Sequence, residues 1–137
     1  MANQIEFDAK GQVVLPRLTK GTIFGGPEYY GCMNTGRRPA ILRDRVTGRY
    51  IVGAHMDVEG ARERIFRDTL NKVNRRIYKV GEKRVYAFKG RKAAVAKFTE
   101  LCRAVMAWNE KTREAHRRDL EAAKRGDMEA AMRLSDY

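Results

Sequence analysis

The chain has 137 residues, 43% of them hydrophobic, and a formal net charge of +12. That length suits one ordinary domain whose core removes roughly two thirds of the unfolded surface from water, and the apolar content excludes wholesale disorder. A pI near 10.1 directs the chain toward nucleic acid, an anionic membrane surface or an acidic protein.

The N-terminus, Met1 to Phe7, lacks the basic and apolar regions of a signal peptide, and no window approaches a membrane span. Cys32 and Cys102 are the only cysteines, too far apart for a disulfide framework or a zinc motif. A reducing, intracellular location follows, cytoplasmic in the organism or in an infected host cell. Cys102 falls on the apolar stripe of a helix and reads as a reduced core thiol.

In chain order, residues 1–56 hold eight of the twelve glycines and read as short strands and loops. Ile5 to Phe7 and Gln12 to Leu15 flank Asp8-Ala9-Lys10-Gly11, a predicted hairpin. Gly21 to Gly36 is a glycine-rich loop with room for one short strand. Its Tyr29 and Tyr30 are expected to pack on the core. Ala40 to Arg45 and Arg49 to Gly53 flank Val46-Thr47-Gly48, a second hairpin.

A helix is predicted from Asp57, whose carboxylate suits an N-cap. Val58, Ala61, Ile65, Thr69, Leu70, Val73 and Ile77 recur at helical spacing. Ile77 to Val80 and Arg84 to Phe88 follow as strands around Gly81-Glu82-Lys83. After Gly90 a long helix runs to about Lys124, with Ala94, Phe98, Leu101, Cys102, Val105, Trp108 and Thr112 as its buried stripe. Gly126 stops it and Asp127 caps a last helix, Met128 to Leu134. The fold class is α+β in one domain: a small antiparallel sheet of N-terminal hairpins plus a mid-chain hairpin, packed with two main helices and a short C-terminal one.

Charge is distributed unevenly along this plan. Residues 60–97 carry thirteen Lys or Arg against three acids, or +10, whereas residues 98–137 balance eight against eight. Cations within a periodic, folded segment are the pattern expected of a phosphate-binding surface. The candidate contacts are Arg62, Arg64, Arg67, Lys72, Arg75, Arg76, Lys79, Lys83, Arg84, Lys89, Arg91 and Lys92. Asn71 and Asn74 add amides able to read base edges, and Tyr78, Tyr86 and Phe88 add rings able to stack on bases. Arg37, Arg38, Arg43, Arg45 and Arg49 form a secondary basic patch. Alternation along a strand would turn Arg43 and Arg45 to one face. For any single residue, a solvated surface or a place in the core is the alternative.

Catalytic signals are sparse. His55 and His116 are the only histidines and Ser135 is the only serine. No HExxH, CxxC or phosphate-loop pattern is present, so no metal or cofactor is expected.

Two local resemblances stand beside this reading. Val46-Thr47-Gly48-Arg49-Tyr50-Ile51-Val52-Gly53 resembles the second half of the hairpin signature of the GIY-YIG nucleases. The resemblance implies roles for Arg62 or Arg64 as the family's arginine and for Glu100 as its metal-binding glutamate. The first half of the signature is absent, since the preceding strand reads Ala40-Ile41-Leu42. Residues Glu121 to Leu134 resemble the helix-turn-helix joint of Sel1 or tetratricopeptide-type repeats, over about half of one repeat. A single repeat cannot bury its own face, so no repeat domain is implied.

The expected function is non-catalytic binding of DNA or RNA through a basic helix-hairpin surface, in a protein of phage or mobile-element type. The neutral C-terminal helices would be free to pair with a second copy. The alternatives are an inhibitor or adaptor that docks on an acidic host protein, a virion or assembly component, and a GIY-YIG-like nuclease.

Overall fold

The computed structural model describes residues 5–30, 36–71 and 85–136, the side chains of 64–71 and of 136 excepted. Among the described residues four strands pair in the order β1 (Ile23–Gly25), β2 (Pro39–Arg43), β3 (Tyr50–Ala54), β4 (Val85–Phe88), every neighbour antiparallel. Helix α1 (His55–Asn71) leaves β3 directly, α2 (Arg91–Lys124) follows β4, and α3 (Met128–Arg133) closes the chain with a 3₁₀ turn at Leu134–Asp136. This is the expected α+β architecture.

Side-chain alternation on the strands makes two cores. Ala40, Leu42 and Ile51 pack with Val58 of α1, flanked by Ile23, Ala61 and Val85. Ile41 and Val52 face the other way, onto Ala94, Phe98 and Cys102 of α2 and onto Val13 and Leu18. The sheet is therefore covered by α1 on one face and by α2 with the N-terminal segment on the other.

Several elements depart from expectation for identifiable reasons. Residues 5–15 do form a turn, with Asp8 Oδ1 accepting from the Lys10 and Gln12 amides. Only the single bridge Phe7↔Val13 results, and the segment lies outside the sheet. It is fastened to α2 instead: Thr99 Oγ1 accepts the Val13 amide at 3.0 Å, and Arg103 donates to the Gly11 carbonyl. The fourth strand comes from the glycine-rich loop, as β1.

Helix α1 begins at His55, not at Asp57. The His55 and Met56 amides donate to the Arg38 and Gly36 carbonyls at 2.8 and 3.0 Å. The preceding loop thus satisfies the free first-turn donors that a capping side chain would otherwise meet. Asp57 falls within the first turn, where its charge complements the helix dipole. The predicted strand 77–80 and its Gly81-Glu82-Lys83 turn lie outside the described residues.

On α2, Ala94, Phe98, Cys102 and Val105 are buried as expected, but Trp108 is 40% exposed and Asn109 takes the buried place. The neighbour there is main chain rather than side chains. Asn109 Nδ2 donates to the Glu28 carbonyl at 2.8 Å and its Oδ1 accepts the Tyr30 amide at 2.7 Å. Burying those backbone groups requires a polar partner. Tyr29 then packs edge-on against Trp108, and Tyr30 Oη hydrogen-bonds His116 Nδ1 at 2.6 Å. Gly126, at φ +94°, lies in the turn that ends α2, and Asp127 accepts from the Glu129 and Ala130 amides as the cap of α3.

Burial pushes the Cys102 thiol up to about 12, because a thiolate there would be desolvated. In a Cys32→Ser variant, a thiol-directed reagent at pH 8 should react with Cys102 far more slowly in the folded protein than in denaturant. Equal rates would place Cys102 at the surface. The sign for stability follows from the same shift. The unfolded chain loses this proton more readily, so stability falls as pH rises from about 9 toward 12.

Candidate nucleic-acid interface

Strand register divides the molecule into two ends. Arg43 lies opposite Tyr50, and Tyr50 opposite Phe88. The β2–β3 turn therefore shares an end of the sheet with the β4–α2 junction. The Gly21 amide donates to the Arg43 carbonyl, which brings residues 19–22 to that end as well. At the far end Pro39 pairs with Ala54 and Gly53 with Val85.

The turn end gathers cations from separate stretches of sequence. Lys89, Arg91 and Lys92 are exposed at the start of α2, and Lys20 and Arg45 are exposed in the two turns. Arg62, half-buried on α1, lines a cleft of about 450 Å³ with Lys20, Thr22, Arg45 and Val46. Arg91 also has a structural duty, donating to the Leu15 and Pro16 carbonyls at 3.2 and 3.4 Å.

Asp44 shapes the turn from beneath. It is fully buried, and its Oδ2 accepts the Val46 and Thr47 amides and the Thr47 hydroxyl at 2.7–3.1 Å. Gly48 completes the turn at φ +74°, a conformation that favours glycine.

The secondary patch does not assemble as one unit. Arg37 and Arg38 stand at the far end, where Arg38 pairs with Glu28 at 3.4 Å. Arg43 and Arg45 do not share a face. Arg43 donates to the Leu18 carbonyl at 3.3 Å and lies 5.8 Å from the Tyr50 ring. Arg45 falls beyond the end of β2, in the turn, beside Gly21 and in the cleft. Arg49 is half-buried in the same turn, its amide donating to Thr47 Oγ1.

Of the principal surface, Arg64, Arg67 and Asn71 occupy the second half of α1. Lys72, Asn74, Arg75, Arg76, Tyr78, Lys79, Lys83 and Arg84 lie outside the described residues. Phe88 packs against the α2-side core. Tyr86 is 46% exposed, with Lys97 Nζ 4.2 Å from its ring centroid. Lys20, missed as an isolated cation in the sequence, joins the cluster through the fold.

Three cations in the C-terminal part are paired locally. Arg117 bridges Glu114 and Glu121 at 2.6 and 2.9 Å, Arg118 reaches Glu114 at 3.4 Å, and Arg133 reaches Asp119 at 3.0 Å. Arg117 holds the Glu114 carboxyl below its ordinary range. By sequence, residues 60–97 hold thirteen cations against three acids.

The residues named by the nuclease resemblance are not brought together. Arg62 sits on α1, Glu100 on α2 paired with Lys97 at 2.5 Å, and the sheet separates the two helices. Among the described residues no cluster of three or more His, Cys, Asp or Glu is arranged to hold a metal, and no helix is long and apolar enough to cross a membrane. No family model, curated protein or solved structure matches the chain.

Proposed function

We propose that this protein binds nucleic acid without catalysing a reaction, gripping the phosphate backbone with the basic middle of the chain. The observation that carries the reading is the excess of +10 over residues 60–97. Exposed members of that stretch, Lys89 and Lys92, share an end of the sheet with Lys20 and Arg45. Phosphate neutralisation by such groups releases counterions and needs no particular base sequence. Tyr86, half-exposed with Lys97 over one face of its ring, offers the other face for stacking on an unpaired base.

A mobility-shift assay at low salt, with generic duplex DNA, single-stranded DNA and RNA, tests this. At least one should shift at micromolar protein. No shift with any of them would remove the proposal, and metal-dependent nicking of a plasmid would replace it with a nuclease.

A further inference from the structure

The cleft at the turn end joins three cations that lie far apart in sequence: Lys20 from the 19–22 turn, Arg45 from the β2–β3 turn and Arg62 from α1. We propose that this cleft seats a phosphodiester of the bound strand, so that the strand crosses from α1 over the β2–β3 turn. This rests on the nucleic-acid reading above and assigns it a specific subsite.

The cleft's volume, about 450 Å³, accommodates a phosphate with part of its sugar. The side chains come from three elements fixed by the sheet. Lys20 follows Leu18, buried in the α2-side core, and the next amide, Gly21, is bonded to the Arg43 carbonyl. Arg45 follows buried Asp44, whose carboxylate organises the turn. Arg62 lies one residue beyond Ala61, which packs on the α1-side core. The backbone at these positions is already fixed, so the ordering cost when an anion arrives falls on the three side chains alone.

Two acids also line the cleft. Glu63 is exposed beside Arg62. Asp44 is fully buried, with Oδ2 committed to the turn and Oδ1 without a hydrogen-bond partner among the described residues. Three cations against two carboxylates leave a net charge of +1. That balance attracts an anion and matches the single charge of one phosphodiester.

The test has two arms on the full chain. In the first, ¹⁵N-labelled protein is titrated with dimethyl phosphate, a monoanionic diester, and the amide resonances are followed. Millimolar probe should move Gly21, Thr22, Arg45 and Val46, and Lys20→Glu combined with Arg45→Glu should abolish those shifts. In the second, the same variant should bind a generic strand at least tenfold more weakly. The slope of log affinity against log salt should become shallower by about 1, as for the loss of one phosphate contact.

Shifts centred elsewhere, or unchanged by the variant, would overturn the cleft. Strand affinity equal to wild type would also overturn it while leaving the broader nucleic-acid proposal intact. Diester binding in the cleft of a protein that binds no nucleic acid would instead remove the broader proposal and keep the anion subsite. If the double glutamate variant melts early, the Lys20→Gln, Arg45→Gln pair serves in its place, with the same expectations at smaller amplitude.

Discussion

Phe98→Ala is expected to lower the unfolding free energy by about 3–5 kcal/mol, the usual cost of emptying a buried aromatic site. The ring is fully buried between the sheet and α2, among Ile41, Val52 and Cys102, with the Phe24 ring edge-on at 6.1 Å. Phe24 belongs to β1 and Phe98 to α2, so the truncation removes contacts between layers rather than within one. Neighbouring anchors such as Thr99 to Val13 hold the backbone in place, which limits collapse into the cavity and keeps the cost high. Small domains have only about 5–15 kcal/mol in total, so chemical denaturation should show a much lower midpoint with a similar slope. A loss below about 1 kcal/mol would mean that α2 does not pack on the sheet through this face.

The second large effect concerns binding. Reversing Arg62, Lys89 and Lys92 to glutamate should weaken affinity for a generic strand on the order of a hundredfold and make its salt dependence shallower by about 3. Lys89 and Lys92 are exposed, so their reversal should change thermal stability little, and half-buried Arg62, beside Glu63 and Asp44, carries most of any loss. Such surface substitutions usually stay within about 0.5 kcal/mol. A severe loss of stability with binding otherwise retained would make these side chains structural rather than functional.

How much of this was legible in the sequence depended on the kind of signal. Period-3.6 spacing located α2 to within one residue at its start, because Ala94, Phe98, Cys102 and Val105 follow the helix faithfully. The Val46-Thr47-Gly48 turn was legible because Gly48 has to adopt positive φ. The start of α1 was not, since its first amides are satisfied by carbonyls from residues 36 and 38, and pairing at a distance leaves no local mark. Trp108 and Asn109 were exchanged for a similar reason. Hydropathy assigns the larger apolar residue to the core, whereas here the buried neighbour is the backbone of Glu28 and Tyr30.

The site followed the same division. A basic stretch is visible as composition, so residues 60–97 stood out at once. The meeting of Lys20, Arg45 and Arg62 depends on strand register and on the side of the sheet that α1 covers. Arg43 and Arg45 looked equivalent by alternation, yet one ends a strand against Tyr50 and the other begins a turn.

The most direct measurement is the affinity of the wild-type protein for whichever of generic duplex DNA, single-stranded DNA and RNA it shifts most readily, followed as salt is raised. One phosphate in the cleft and one each at Lys89 and Lys92 predict a straight line of log affinity against log salt with a slope of about −2.7 on duplex, or about −2.1 on a single strand, or steeper. An affinity indifferent to salt, or no binding at the lowest salt used, would contradict a backbone-gripping role.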